Sequence, residues 1–272
     1  MIKLPPEHYE KVTPLLHTVP FNTLFARAVI EKKADGHVFV DDQRSLTVCF
    51  IIHKYGMALL CGNHGNDVFN DKLVRFLKNS SFEEYPAKWM LTFPNEWEHI
   101  LASLLGTALG QAGDANDSPF LQTVRINYHF QPRSHLNIPA LPDGFSLVQI
   151  DFELYHRIQG SVVPQQFWNH AEDFLAHGVG FSLIYEEQIV STAFAAYLVA
   201  DQLELGIETT EAFRKKGYAI YPAAALIQYC LAHGYEPLWA CRRENIGSSR
   251  LAERLGFVPS SYHPYYGLPS RF

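Results

Sequence analysis

The chain has 272 residues, 47% apolar and 14% aromatic, with a net charge of -6. That much apolar surface builds a core and excludes a disordered chain, and the acidic balance excludes the broad basic footprint of a nucleic-acid binder. Cys49, Cys61, Cys230 and Cys241 form no C-x-x-C pair, which excludes the common zinc motifs and a disulfide scaffold; they read as reduced, mostly buried thiols of a cytoplasmic protein.

The opening MIKLPPEHYEK has no apolar stretch of the signal-peptide kind. The longest apolar runs, such as ILASLLGTALG, fall short of the roughly 20 residues a bilayer needs, so no membrane partner is expected. HYEKVTPLLHTVPFNTLFARAVIEK suggests helical turns broken at Pro14 and Pro20. HVFVDD and LTVCFIIHKYGMALLCGN read as strands, NDKLVRFLKN as a helix and KWMLTF as a strand. NEWEHILASLLG reads as a helix with Asn95 as N-cap and Glu98 three residues on. TVRINYHF closes this half as a strand.

The Pro-rich FQPRSHLNIPALPDGF then reads as a connection. The expected organisation is an α/β domain over 1–131, a linker over 132–143 and a second domain over 144–272. In the second, FSLVQI is a strand, QQFWNHAEDFLAHG a helix stopped at Gly178, and GVGFSLIYEEQIVSTAFAAYLVADQLELGIETT an antiparallel meander of three strands. IYPAAALIQYCLAHG is a helix, PLWACR a strand, GSSRLAERLG a short helix, and FVPSSYHPYYG an extended end. The fold class is therefore α/β (α+β), a mixed sheet flanked by helices.

Between the meander and its helix lies RKKGYA, residues 214 to 219. A helix N-terminus presents unpaired N–H groups and partial positive charge, which together suit a phosphate. The phosphate must come close to the backbone, and Gly217 and Ala219 allow it, while Arg214, Lys215 and Lys216 add charge. An ordinary turn with a solvated basic patch is the other reading of the same six residues.

A strand leading into Arg214-Lys215-Lys216-Gly217-Tyr218-Ala219, then a strand leading to Asn245 and a helix ending in Leu255-Gly256-Phe257, resembles the GNAT acyl-CoA N-acyltransferase family over residues 144–272. LGIETTEAFRKKGYA and SSRLAERLGF are further similar to antibiotic-resistance acetyltransferases of the zwittermicin type. The resemblance implies that the amides of 214 to 219, Tyr218 included, hold the pyrophosphate of acetyl-CoA. It implies that Asn245 orders the last helix and touches the pantetheine arm, with Ser248 a further cofactor contact. Plain capping is the competing role for Asn245. Backbone donors for the thioester oxygen are expected among Ile207, Glu208 and Thr209. Glu208 is the expected general base, or else an ion-pair partner. Pro222 lies early in the following helix and removes a donor. Many family members carry a Tyr seven residues after the Asn; here that position is Ala252, so the general acid is sought in the tail residues Tyr262, His263, Tyr265 and Tyr266, with Tyr265 preferred.

The first half lacks an R-x-x-G-x-G/A loop and is either a degenerate copy of the same fold or an unrelated α/β cap. No metal site is expected: GNHGND offers one His and one Asp, and no His pair has helical spacing with a carboxylate. The expected function is transfer of an acetyl group from acetyl-CoA (coenzyme A) to a primary amine of a small molecule. A non-catalytic acyl-CoA sensor and a protein N-acetyltransferase are the alternatives. The aromatic content permits a homodimer.

Overall fold

The computed structural model describes residues 1–79, 87–113, 118–132 and 138–269. Within them the chain forms two compact units: Met1–Arg125 with Tyr262–Phe272, and Ile126–Ser261. The linker expected over 132–143 lies partly outside the described residues.

The first unit opens with strand β1 (Ile2–Lys3), a 3-10 turn, and helices α1 (Thr13–Leu16) and α2 (Leu24–Ile30). An antiparallel meander follows: β2 (Gly36–Val40), β3 (Val48–His53) and β4 (Met57–Gly62). Then come α3 (Asp67–Asn79), β5 (Trp89–Phe93), α4 (Trp97–Leu105), β6 (Leu109–Gln111) and the first part of β7 (Phe120–Phe130). β3 reads VCFIIH and is buried throughout, as a strand covered on both faces must be. β5 lies parallel to β4, paired along its whole length from Met57↔Trp89 to Cys61↔Phe93. Phe50, Leu60, Phe69, Leu73, Trp97 and Tyr266 form the centre of one core, each contributing roughly 1.5–3 kcal/mol by burial.

The second unit repeats this succession. β8 (Phe145–Gln149) is followed by helices α5 (Phe152–Arg157), α6 (Pro164–Phe167) and α7 (Ala171–His177). The meander is β9 (Gly180–Tyr185), β10 (Gln188–Val199) and β11 (Gln202–Thr209). Then come α8 (Ile220–Ala232), β12 (Glu236–Arg242), α9 (Ile246–Arg254) and the first part of β13 (Phe257–Gly267). The hairpin after β9 turns on Glu186 and Glu187, both with positive φ, the backbone that matches strand twist in a two-residue loop. Both units thus carry a short strand, helices, a three-strand meander, a helix, a parallel strand and a helix. The two units share one order of elements.

Three local readings differ from the structure. Residues 164–177 form two helices because Trp168 is extended and donates its indole N–H to the Ala195 carbonyl at 2.7 Å. α4 starts after Glu96 with no side-chain cap; Glu98 instead accepts from the Gln122 amide at 2.8 Å. Asp151 caps α5, accepting from Leu154 N at 2.8 Å, a helix the sequence reading passed over. Pro222 sits in the first turn of α8, where its missing N–H would have had no intrahelical partner.

His53 is fully buried in the first unit, and burial lowers its pKa from 6.5 to about 3. The unfolded chain therefore binds a proton more readily than the folded one. Stability from this group is intact above pH 6.5 and falls by about 1.4 kcal/mol per unit as pH drops toward 3. Urea unfolding at pH 7 and pH 5 checks this: His53→Gln should lose less stability between the two than the native chain, and equal losses would contradict it.

Candidate active site

The site is built where β11 and β12 part. The two run parallel, and only Gln202, Leu203 and Glu204 pair, with Glu236, Pro237 and Leu238. Beyond Glu204, residues 205–209 of β11 pair with β10 alone among the described residues. The backbone edges of 205–209 and 239–242 are left facing a gap. An extended ligand carrying amides can use such edges as a strand would.

RKKGYA lies at the end of β11. Lys215 and Gly217 both have positive φ, 63° and 83°. Such alternation turns successive N–H groups into one concavity. The N–H groups of 215–219 donate to no backbone carbonyl among the described residues. Ala219 is the N-cap of α8 and has no side chain to occupy its first amides. A Cβ built on Gly217 would meet nothing within 4 Å. The loop is thus an open cradle of donors at the start of a 13-residue helix. Tyr218 packs on Phe145 at 4.9 Å, and Lys216 Nζ lies 5.3 Å over the Phe213 ring.

Arg214 points the other way. Its Nε donates to the Thr209 carbonyl at 2.9 Å and its Nη2 to Glu208 Oε1 at 3.1 Å. Glu208 is the hub of a clamp. Oε2 accepts from Ser161 N (2.9 Å), Ser161 Oγ (3.2 Å) and Val162 N (3.0 Å), while Oε1 accepts from Thr209 N (3.2 Å) and Arg214. The carboxylate joins the turn after α5 to the foot of the cradle, and its oxygens are occupied by donors. Gly160 makes the approach possible: a Cβ there would lie 2.6 Å from Glu208 Cγ. This turn had no signal in the sequence beyond its glycine.

The remaining candidates divide. Ile207 pairs with Ala193, and Thr209 shares a hydroxyl contact with Ser191 at 2.8 Å. Asn245 is the N-cap of α9, its Oδ1 accepting from Ser248 N at 3.2 Å. Ser248 Oγ accepts from the Trp239 indole at 3.0 Å. Tyr265 belongs to the first unit, where it is buried in β13 opposite Leu91, stacked on Trp89 at 5.0 Å and covered by Arg125 at 5.5 Å. Tyr262, His263 and Tyr266 belong to the same unit. Tyr262 is exposed, His263 packs on Phe21 at 4.1 Å, and burial raises the Tyr266 phenol.

The matching loop of the first unit is filled from within. Asn63 Oδ1 accepts from Gly65 N at 3.0 Å, Asn66 Oδ1 from Phe69 N at 3.1 Å, and Asn70 donates to the His64 carbonyl at 2.8 Å. Asp67 places negative charge in the first turn of α3. With β4 and β5 paired from Met57↔Trp89 to Cys61↔Phe93, that unit shows neither an open cradle nor a gap among its described residues. Among the described residues no group of His, Cys, Asp or Glu could hold a metal ion, and no helix is long and apolar enough to cross a membrane.

A family model described as GNAT acetyltransferase matches residues 13–266. The uncharacterized N-acetyltransferase YdfB of Bacillus subtilis is 26% identical over 245 residues, covering 89% of each chain. A GCN5-related N-acetyltransferase-like protein from Streptococcus suis shares the fold at a TM-score of 0.73 and 22% identity, over 96% of this chain and 98% of that one. A tandem GNAT protein from the clavulanic acid biosynthesis pathway aligns over 99% of both chains at a TM-score of 0.59 and 10% identity. With the family model spanning both units, the chain belongs to the GNAT acetyltransferase family and is an N-acetyltransferase.

Proposed function

We propose that the second unit takes an acetyl group from acetyl-CoA and transfers it to a primary amine of a small molecule in the cytoplasm, by direct attack of the amine on the thioester. The observation that carries this is the run of unpartnered amides over 215–219 beside the gap between β11 and β12. A pyrophosphate would satisfy those donors and the positive end of α8. The gap would receive the amide-bearing arm in strand-like fashion, bringing the thioester alongside 205–209. Holding both reactants in line supplies much of the rate. Lys215 and Lys216 add charge at the cradle, while Arg214 braces it. Glu208, surrounded by donors, positions the loop in preference to taking the amine's proton. The similarity of 205–219 to zwittermicin-type resistance enzymes supports a small acceptor over a protein one.

Calorimetric titration with acetyl-CoA tests the donor. Micromolar-range binding with one ligand per chain is expected, because the first unit's loop is filled by its own side chains. No heat at millimolar acetyl-CoA would overturn the reading, and two ligands per chain would overturn the assignment to one unit. An amine panel then identifies the acceptor.

A further inference from the structure

Gly206 lies within the stretch of β11 that faces the gap, directly opposite Phe194 of β10. A Cβ built on Gly206 would lie 2.5 Å from Phe194 Cζ, so the tip of that ring occupies the space a side chain at 206 would take. Gly180 stands opposite Phe194 on the other neighbouring strand, β9, and a Cβ there would come within 2.8 Å of Phe194 Cβ. Phe194 is therefore flanked by glycine on both sides. Its ring lies across the sheet, with its tip over the strand that borders the gap. A glycine inside a strand weakens it and marks a place where another group must come close.

The ring is fixed in that position. It is fully buried and meets Phe167 of α6 edge-on at 5.4 Å, and Phe167 in turn meets Tyr197 at 5.4 Å. The Trp168 indole, bonded to the Ala195 carbonyl, ties the end of α6 to the same strand. Side chains alternate along a strand, so Glu204 and Glu208 share the face of the missing 206 side chain, while Leu205 and Ile207 project to the other. On the first of these faces the space at 206 is filled, Gly206 and Phe194 both being buried. With a thioester alongside 205–209, a short acyl group asks for little room there. Each further carbon turned to this face must displace a ring that its neighbours hold in close packing.

We propose that Phe194 sets the acyl-length specificity of the second unit: its ring, seated over Gly206, closes the acyl end of the gap and excludes medium-chain acyl groups such as hexanoyl. Phe194 is a specificity-determining residue and takes no part in making or breaking bonds.

The inference rests on the acetyl-CoA reading, and its test needs no acceptor. Acetyl-CoA and hexanoyl-CoA are titrated by calorimetry into the native chain, Phe194→Leu and Phe194→Ala, with thermal unfolding as the folding check. The native chain should bind hexanoyl-CoA at least about tenfold more weakly than acetyl-CoA, the scale on which an apolar pocket discriminates by size. Phe194→Leu removes the ring's tip and keeps an apolar side chain, so it should bring the two affinities within about twofold. Phe194→Ala should reverse the preference. A ring that served packing alone would, on substitution, weaken both ligands alike. The same preference in Phe194→Leu as in the native chain, or a native chain that binds both ligands equally, would overturn the inference while leaving the CoA site standing. A native chain that binds neither ligand overturns the CoA site and this inference with it. If Phe194→Ala fails to fold, Phe194→Leu decides alone. If Phe194→Leu fails as well, Phe194→Met, whose flexible chain fills irregular gaps, takes its place.

Discussion

Gly217→Asp should weaken acetyl-CoA binding by at least about 100-fold, close to 3 kcal/mol, while leaving the fold intact. The residue has φ +83° and a Cβ would meet nothing within 4 Å, so no neighbour need move. Asp tolerates left-handed backbone better than most residues. The loss would therefore come from a carboxylate placed among the amides that a pyrophosphate would use. Gly217→Ala adds no charge and should cost about fivefold, through backbone strain of the order of 1 kcal/mol. Calorimetry on both variants, with thermal unfolding as the folding check, separates these terms. Equal binding by Gly217→Asp and the native chain would place the cofactor elsewhere.

The second large effect is expected at Glu208. Glu208→Ala should lower the stability of the second unit by about 1–2 kcal/mol, because the part-buried Val162 N loses its acceptor, while the exposed Ser161 N can turn to water. The Arg214 arm, 55% exposed, contributes little to that figure. Loosening the foot of the cradle should also weaken acetyl-CoA binding about tenfold, and Arg214→Met should reproduce that part. A general base behaves differently: its loss lowers kcat by 10²–10⁴ without touching cofactor affinity. If Glu208→Gln keeps full stability and affinity while kcat collapses, Glu208 is the base and the clamp is incidental.

The cradle was legible because its signal is local. Small residues at 217 and 219, beside three basic ones, sit where a strand gives way to an apolar helix, and the backbone chemistry follows from those few positions. The first unit was half legible: its main strands and helices read from the sequence, but the pairing of β4 with β5 and the closing of the following loop by Asn63 and Asn66 did not. Neither follows from composition. The segment 165–178 was read as one continuous helix because its spacing is helical; a buried indole reaching for Ala195 breaks it. The tail tyrosines misled. They follow the second unit in sequence, yet Tyr265 pairs with Leu91 in the first.

That pairing has a consequence for biosynthesis. Until β13 arrives, the outer edge of β5 offers a row of unpaired backbone groups beside a strand rich in Trp, Met, Leu and Phe. The first half of the chain leaves the ribosome first, but its sheet is completed by Tyr265–Gly267, which are translated only after the whole second unit. During that interval it is an open edge of the kind that recruits other nascent chains. Stalled or prematurely ended chains would carry the whole hazard, since the residues that close the first unit are those they lack.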